Sequence, residues 1–308
     1  MTCDHEATWL ADAKALPPDH RIEPAGVTVE DFLAFHGRQP TPIGYRYDPY
    51  VVYGTAGAGG RPLHLHMYRP TEVDVPRAAV VFVHGGGWWS GNPFKYMRAA
   101  ALLAARGYVT ATVCYRLVPE ATWPAALEDA KCAVRWVRAH ADELGVDPDR
   151  IAVSGDSAGG HLAALVALTP GQFEGDGGHG DITSEVQLAL LLYPLTDMHD
   201  PATPTDGRTL VSNFLGEVTE TRLRESSPVN HVHPDAPPVL TITGSEDALT
   251  TVAMIGRFHA ALDDAGVPNK LVVYPGRSHA FDFAPDDWNR WFDDMRTFLE
   301  TYLPAVAR

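Results

Sequence analysis

Apolar runs and amphipathic stretches alternate along the chain. Residues 79–83 (Ala-Val-Val-Phe-Val) are continuously apolar, as expected of a strand covered on both faces. Similar runs at 108–115, 151–153, 186–192, 238–243 and 270–274 predict further strands. Between them the period lengthens. Ala126, Ala130, Ala133, Val134, Val137, Ala141 and Leu144 recur at helical spacing, so one long helix is expected over 124–144 with its apolar face on a sheet. Helices are also expected over 93–106, 158–168, 250–265 and 286–302. Upstream, the β-rich stretches 45–54 and 62–69 flank a glycine-rich segment and predict a hairpin. This alternation predicts an α/β fold with a mostly parallel sheet and right-handed crossovers.

Two segments break the pattern. Residues 1–45 read as helical pieces interrupted by Pro17-Pro18 and by Pro40 and Pro42, with a helix start at Thr28 and Asp31. Residues 195–236 are rich in Pro, Thr and charge. Insertions of that length often form lids or binding loops. In doubly wound sheets the ligand sits beyond the carboxyl ends of the strands, so chemistry is to be sought just after each run.

Four such places carry it. After 151–153 comes Gly155-Asp156-Ser157-Ala158-Gly159-Gly160, leading into a helix. A Gly-x-Ser-x-Gly pattern between strand and helix is a nucleophile elbow, a turn too tight for bulk two residues either side of the serine. A serine needs a base, and the base an orienting acid. Downstream, Asp247 follows the 238–243 run and His279 follows the 270–274 run. Asp247 would hold His279, which would take the proton from Ser157. Glu246 and Asp197 are the rivals for the acid. After 79–83 comes His84-Gly85-Gly86-Gly87-Trp88, whose glycines can turn backbone N–H groups toward a developing oxyanion. Of Trp88 and Trp89, one would wall an acyl pocket and the other pack beneath the loop; Phe214 and Leu215 from the insertion would either close the pocket or pack in the core or lid.

Composition narrows the field. The 308 residues are 45% hydrophobic and 20% charged, a globular balance. A formal net charge of −15 argues against nucleic acid or an anionic membrane as partner. The three cysteines, Cys3, Cys114 and Cys132, give neither a disulfide framework nor a Cys-x-x-Cys metal pair. The acidic N-terminus lacks a signal-peptide pattern and no run reaches 18 apolar residues, so a cytoplasmic protein is expected. His64 with His66, and His231 with His233, lack a third metal ligand at a telling spacing. The loop 175–180 with Asp176 and Asp181 reads as a surface turn rather than a calcium site. No metal or cofactor is expected.

Taken together, HGGGW at 84–88, GDSAGG at 155–160, GSED at 244–247 and SHAF at 278–281 resemble the hormone-sensitive-lipase-like esterase group of α/β-hydrolases. The run 115–120 followed by 124–129 is similar to that group too. Gly160-His161-Leu162 and His-Gly-Gly-x-Trp also resemble the arylformamidase branch and bacterial feruloyl-esterase-like proteins, whereas Asp156 fits the esterases better. The resemblance implies an eight-stranded sheet in a single domain. It implies a cap built from about 1–45 and 195–236, and oxyanion donors at Gly86, Gly87 and Ala158. It implies cleavage of short- to medium-chain carboxylic esters. Amide or formamide hydrolysis, acyl transfer to an alcohol and a non-hydrolytic ligand receptor remain open on the same scaffold. A homo-oligomer also stays open.

Overall fold

The computed structural model describes residues 44–200 and 202–307, without the side chains of Phe283, Pro285 and Asp286. The expected N-terminal cap pieces, the helix start at Thr28 and Asp31, and Cys3 lie outside the described residues. The strands are β1 (Tyr45–Thr55), β2 (Pro62–Pro70), β3 (Arg77–Val83), β4 (Val109–Val113), β5 (Val146–Asp156), β6 (Leu188–Leu192), β7 (Val239–Gly244) and β8 (Asn269–Tyr274). They form one 8-stranded sheet in the order β1-β2-β4-β3-β5-β6-β7-β8. Only β2 runs against its neighbours; every pair from β4 onward is parallel.

Side chains alternate across each strand, and the core divides accordingly. Ala79, Val81 and Val83 of β3 join one cluster with α2 (Ala125–Ala139), α4 (Ser157–Leu168) and α7 (Val252–Asp264). Val80 and Phe82 face the other cluster, with α1 (Met97–Ala104) and α8 (Pro285–Tyr302). Both faces of the sheet are therefore covered, which explains why β3 after Arg77 and the whole of β6 read as unbroken apolar runs.

Local chemistry corrects some expected boundaries. The helix over 124–144 is two: α2 stops at Ala139, and a short α3 (Ala141–Leu144) ends at Gly145, φ 68°. His140 makes the break, its Nδ1 lying 2.9 Å from the Trp136 carbonyl. A 3-10 turn, Pro93–Tyr96, precedes α1. β5 begins at Val146, which pairs with Arg77, before its apolar stretch. The insertion holds α5 (Thr205–Leu215), α6 (Glu220–Glu225) and a 3-10 turn, Pro228–His231. Cys132 is a free buried thiol. No described helix is long and apolar enough to cross a membrane.

β3 lies between β4 and β5, so the chain leaves it first to one side and later to the other. A crevice opens at the carboxyl edge of such a switch point. The glycine loop after β3 and the serine turn after β5 meet there.

Candidate active site

β5 ends at Asp156 and α4 begins at Ser157 with no residue between them. Ser157 has φ 48°, a left-handed conformation that serine adopts only under constraint. The constraint is proximity: a Cβ at Gly159 would stand 2.1 Å from the Val83 carbonyl oxygen, and one at Gly155 would stand 2.3 Å from that of Gly159. β3, β5 and α4 thus converge where only hydrogen atoms fit, and the serine is pushed outward.

The loop after β8 brings His279 Nε2 to 2.8 Å from Ser157 Oγ. On its other side His279 Nδ1 is 2.8 Å from Asp247 Oδ2. An ionised carboxylate only accepts, so Nδ1 carries the proton and Nε2 is left to accept from the serine hydroxyl. Asp247 is itself held. Its Oδ1 accepts from the Leu249 and Thr250 amides at 2.9 and 2.8 Å, and Thr250 Oγ1 stands 2.8 Å from Oδ2. Of the two rivals, Glu246 is exposed, and Asp197 is engaged with Arg257 at 3.3 Å.

The glycine loop is oriented by His84. This ring is fully buried, stacks on Tyr115 with centroids 4.4 Å apart, and donates from Nδ1 to the Gly85 carbonyl at 2.8 Å. Burial pushes its pKa down to about 4, so it stays uncharged at neutral pH. A trans peptide points its N–H opposite its C=O. The Gly86 N–H therefore turns away from His84. The Gly86 carbonyl accepts from the Ser90 amide at 3.0 Å, which in turn faces the Gly87 N–H away from the loop's own turn. Gly86 needs φ +119°, and a Cβ there would meet the Ser90 carbonyl at 2.2 Å. The Ala158 amide lies in the first turn of α4, where no helical acceptor exists.

Beside Ser157 lies a cavity bordered by Gly87 and Ala158 and by the apolar side chains of Trp88, Leu195, Leu210 and Leu249. Its free volume is about 20 Å³, room for about one water. Gly86 is not on its wall. Trp88 is, but the other three expected pocket residues are not among the described lining. Trp89 is 55% exposed, its ring edge beside Gly87. Phe214, one turn beyond Leu210 on α5, reaches past the cavity to stack on Trp88 at 4.4 Å. Leu215 is wholly buried in the core.

Two other described histidines, His161 and His66, serve packing. His161 Nε2 donates to the Ser226 carbonyl at 2.7 Å and Nδ1 accepts from the Trp88 indole at 3.3 Å. Burial lowers its pKa to about 4. His66 is buried and stacked against Tyr47. The Gly178 carbonyl of the 175–180 loop accepts from the Arg135 guanidinium at 2.9 Å, and Glu174 pairs with Arg135. No group of three potential metal ligands occurs among the described residues.

Sequence reasoning missed four contributors: Thr250, Lys95, Tyr96 and Tyr193. Lys95 Nζ lies 2.6 Å from Asp156 Oδ2, the Tyr96 hydroxyl donates to Oδ1 at 2.8 Å, and the Tyr193 ring stands 4.7 Å from that of His279. Asp156 had figured only as a motif letter, although it also accepts from the Gly85 amide at 2.9 Å.

Residues 65–262 match the BD-FAE family. The probable carboxylic ester hydrolase LipM of Mycobacterium tuberculosis is 34% identical over 301 residues, which cover 91% of this chain and 68% of LipM. Esterase LipC of the same organism is 35% identical over 246 residues, 75% of this chain and 59% of LipC. The chain thus spans about two thirds or less of the length of these relatives. Among solved structures, the propionate-bound esterase Est2 of Thermogutta terrifontis superimposes with a TM-score of 0.74 at 29% identity, covering 89% of this chain and 99% of that one. The chain belongs to the BD-FAE family, within the hormone-sensitive-lipase-like carboxylesterase group of the α/β-hydrolases.

Proposed function

We propose that the chain hydrolyses carboxylic esters of short acyl chains through an acyl-enzyme on Ser157. One observation carries this reading: the continuous chain Ser157 Oγ, His279 Nε2, His279 Nδ1 and Asp247 Oδ2, with both links at 2.8 Å. Ser157 Oγ attacks the acyl carbonyl while His279 Nε2 takes its proton. The oxyanion forms beside the amides of Gly87 and Ala158, with Gly86 as the further donor. His279 returns the proton to the leaving alcohol. Water then enters and attacks the acyl carbon, losing a proton to the same nitrogen; as the bond to Ser157 Oγ breaks, that proton passes to Oγ and the acid is released. Asp247 fixes the tautomer and stabilises the imidazolium that forms twice in each cycle. The narrow apolar cavity supports a small acyl group, and Leu195 and Leu210 make the 195–236 insertion its cap.

The test is hydrolysis of p-nitrophenyl acetate, butyrate, octanoate and decanoate, with N-formylkynurenine alongside. Wild type should cleave the acetate and butyrate fastest. Ser157→Ala should lower kcat by about 10⁴ or more. A rate on the formamide exceeding all ester rates would replace the ester reading by an amide one. An inert wild type would sink both.

A further inference from the structure

Behind the serine turn lies a buried ionic cluster that the mechanism above does not use. Lys95 sits in the 3-10 turn between the glycine loop and α1. Its Nζ is 2.6 Å from Asp156 Oδ2 and 3.3 Å from Asp282 Oδ2, the two carboxylates being 3% and 5% exposed. Each acid is tied to a different part of the site. Asp156 immediately precedes Ser157, and its Oδ1 accepts from the Gly85 amide at 2.9 Å and the Tyr96 hydroxyl at 2.8 Å. Asp282 follows His279 by three residues, and its Oδ1 accepts from the Tyr193 hydroxyl. The Tyr193 ring packs edge-on against His279, with centroids 4.7 Å apart. The Tyr193 carbonyl lies 3.2 Å from Thr250 Oγ1, which contacts Asp247.

We infer that Lys95 is a positioning residue: its single ammonium joins the serine turn, the glycine loop and the histidine loop by bridging Asp156 and Asp282. This deepens the hydrolase reading and rests on it. Two carboxylates share one cation in a space almost closed to water. Without the ammonium they repel one another, and neither gains enough solvent to stay charged in place. Asp156 can relax only by loosening its hold on Gly85, and Asp282 only by shifting Tyr193. The first movement disturbs the oxyanion donors and the second the imidazole. Lys95 touches no reacting atom, so its loss should fall on kcat rather than on substrate binding.

The experiment measures kcat and KM on p-nitrophenyl acetate, normalised to sites titrated with a fluorophosphonate, together with the rate at which that probe labels Ser157. Lys95→Met should lower kcat per titrated site by about 10²-fold, the scale of a small misplacement, with KM changed less than about threefold. The labelling rate should fall in parallel. Lys95→Arg keeps the charge and should recover most of the loss. Lys95→Met with Asp282→Asn removes the repelling partner and should be faster than Lys95→Met alone. A kcat per titrated site within twofold of wild type for Lys95→Met would overturn the inference. So would a double variant slowed by the full product of the two single losses, since the pair would then act independently. A wild type inert on esters but labelled by the probe would overturn the ester reading alone, and its labelling rate against that of Lys95→Met would still decide the part played by Lys95.

Discussion

Asp156 and Asp247 are both acids buried at the carboxyl ends of parallel strands, 2% and 4% exposed, yet their partners differ in kind. Asp156 faces the Lys95 ammonium, besides an amide and a phenol. Asp247 receives two amides, a hydroxyl and an imidazole, with no lysine or arginine paired to it among the described residues. A carboxylate already neutralised is a fastening. A carboxylate held only by dipoles keeps its field for a charge that arises later, and at His279 that charge is the imidazolium. The same side chain thus builds structure at one strand end and stabilises a transient ion at another, and the difference lies in the partner supplied.

The widest test of this contrast is Asp247→Asn. The amide reverses the hydrogen bond to Nδ1 and puts the proton on the wrong nitrogen, so kcat on p-nitrophenyl acetate should fall about 10⁴-fold with little change in melting temperature. Asp156→Asn keeps an acceptor for the Gly85 amide but removes the charge opposite Lys95. A smaller loss in kcat is expected, about 10²-fold, with a lowered melting temperature. Equal kcat losses in the two variants would erase the distinction.

Acid should separate the two ends next. Burial holds His84, which supports the glycine loop beside Asp156, at a pKa of about 4 against the usual 6.5, and His161 likewise. Between those values the unfolded chain binds protons that the native one refuses. Stability is therefore full above about pH 6.5 and is lost as pH falls toward 4, by ~3 kcal/mol for each histidine. Melting temperatures from pH 7 to 4.5 should show this slope, and His84→Asn, which retains an N–H donor, should flatten it. An unchanged slope would mean that His84 is protonated in the native state. The smallest effect expected is that of Thr250→Val. It removes one hydroxyl from Asp247 Oδ2 and should slow kcat about tenfold; a loss as large as that of Asp247→Asn would make the hydroxyl, not the carboxylate, the dominant support of His279.

The parts of this arrangement that were legible in the sequence are those imposed by local sterics. Gly155 and Gly159 must lack side chains wherever a strand, a serine and a helix meet so closely, and the apolar run of β3 shows that both its faces are covered. The break after Ala139 was hidden because the apolar period continues through Ala141 and Leu144 while a side chain, His140, ends the helix. For Phe214 and Leu215 the choice between cavity wall and core packing stays open in the sequence, because hydrophobicity does not say how far along α5 the cavity extends. Lys95 gave no signal at all: it pairs with acids 61 and 187 positions away, and only the closed sheet brings them together.

Ser157, His279, Asp247 and the lysine bridge all stand at the carboxyl edge of the sheet. The opposite edge, roughly 17 Å away along a five-residue strand, carries exposed acids such as Asp149 and Glu185 near the starts of β5 and β6. Amine-functionalised beads coupled there would leave the cavity facing the bulk medium. Coupling on the side of the exposed Trp89 would press the mouth against the carrier. The polarity of the parallel strands thus sets the orientation in which this protein could be immobilised without obstructing the traffic of small molecules.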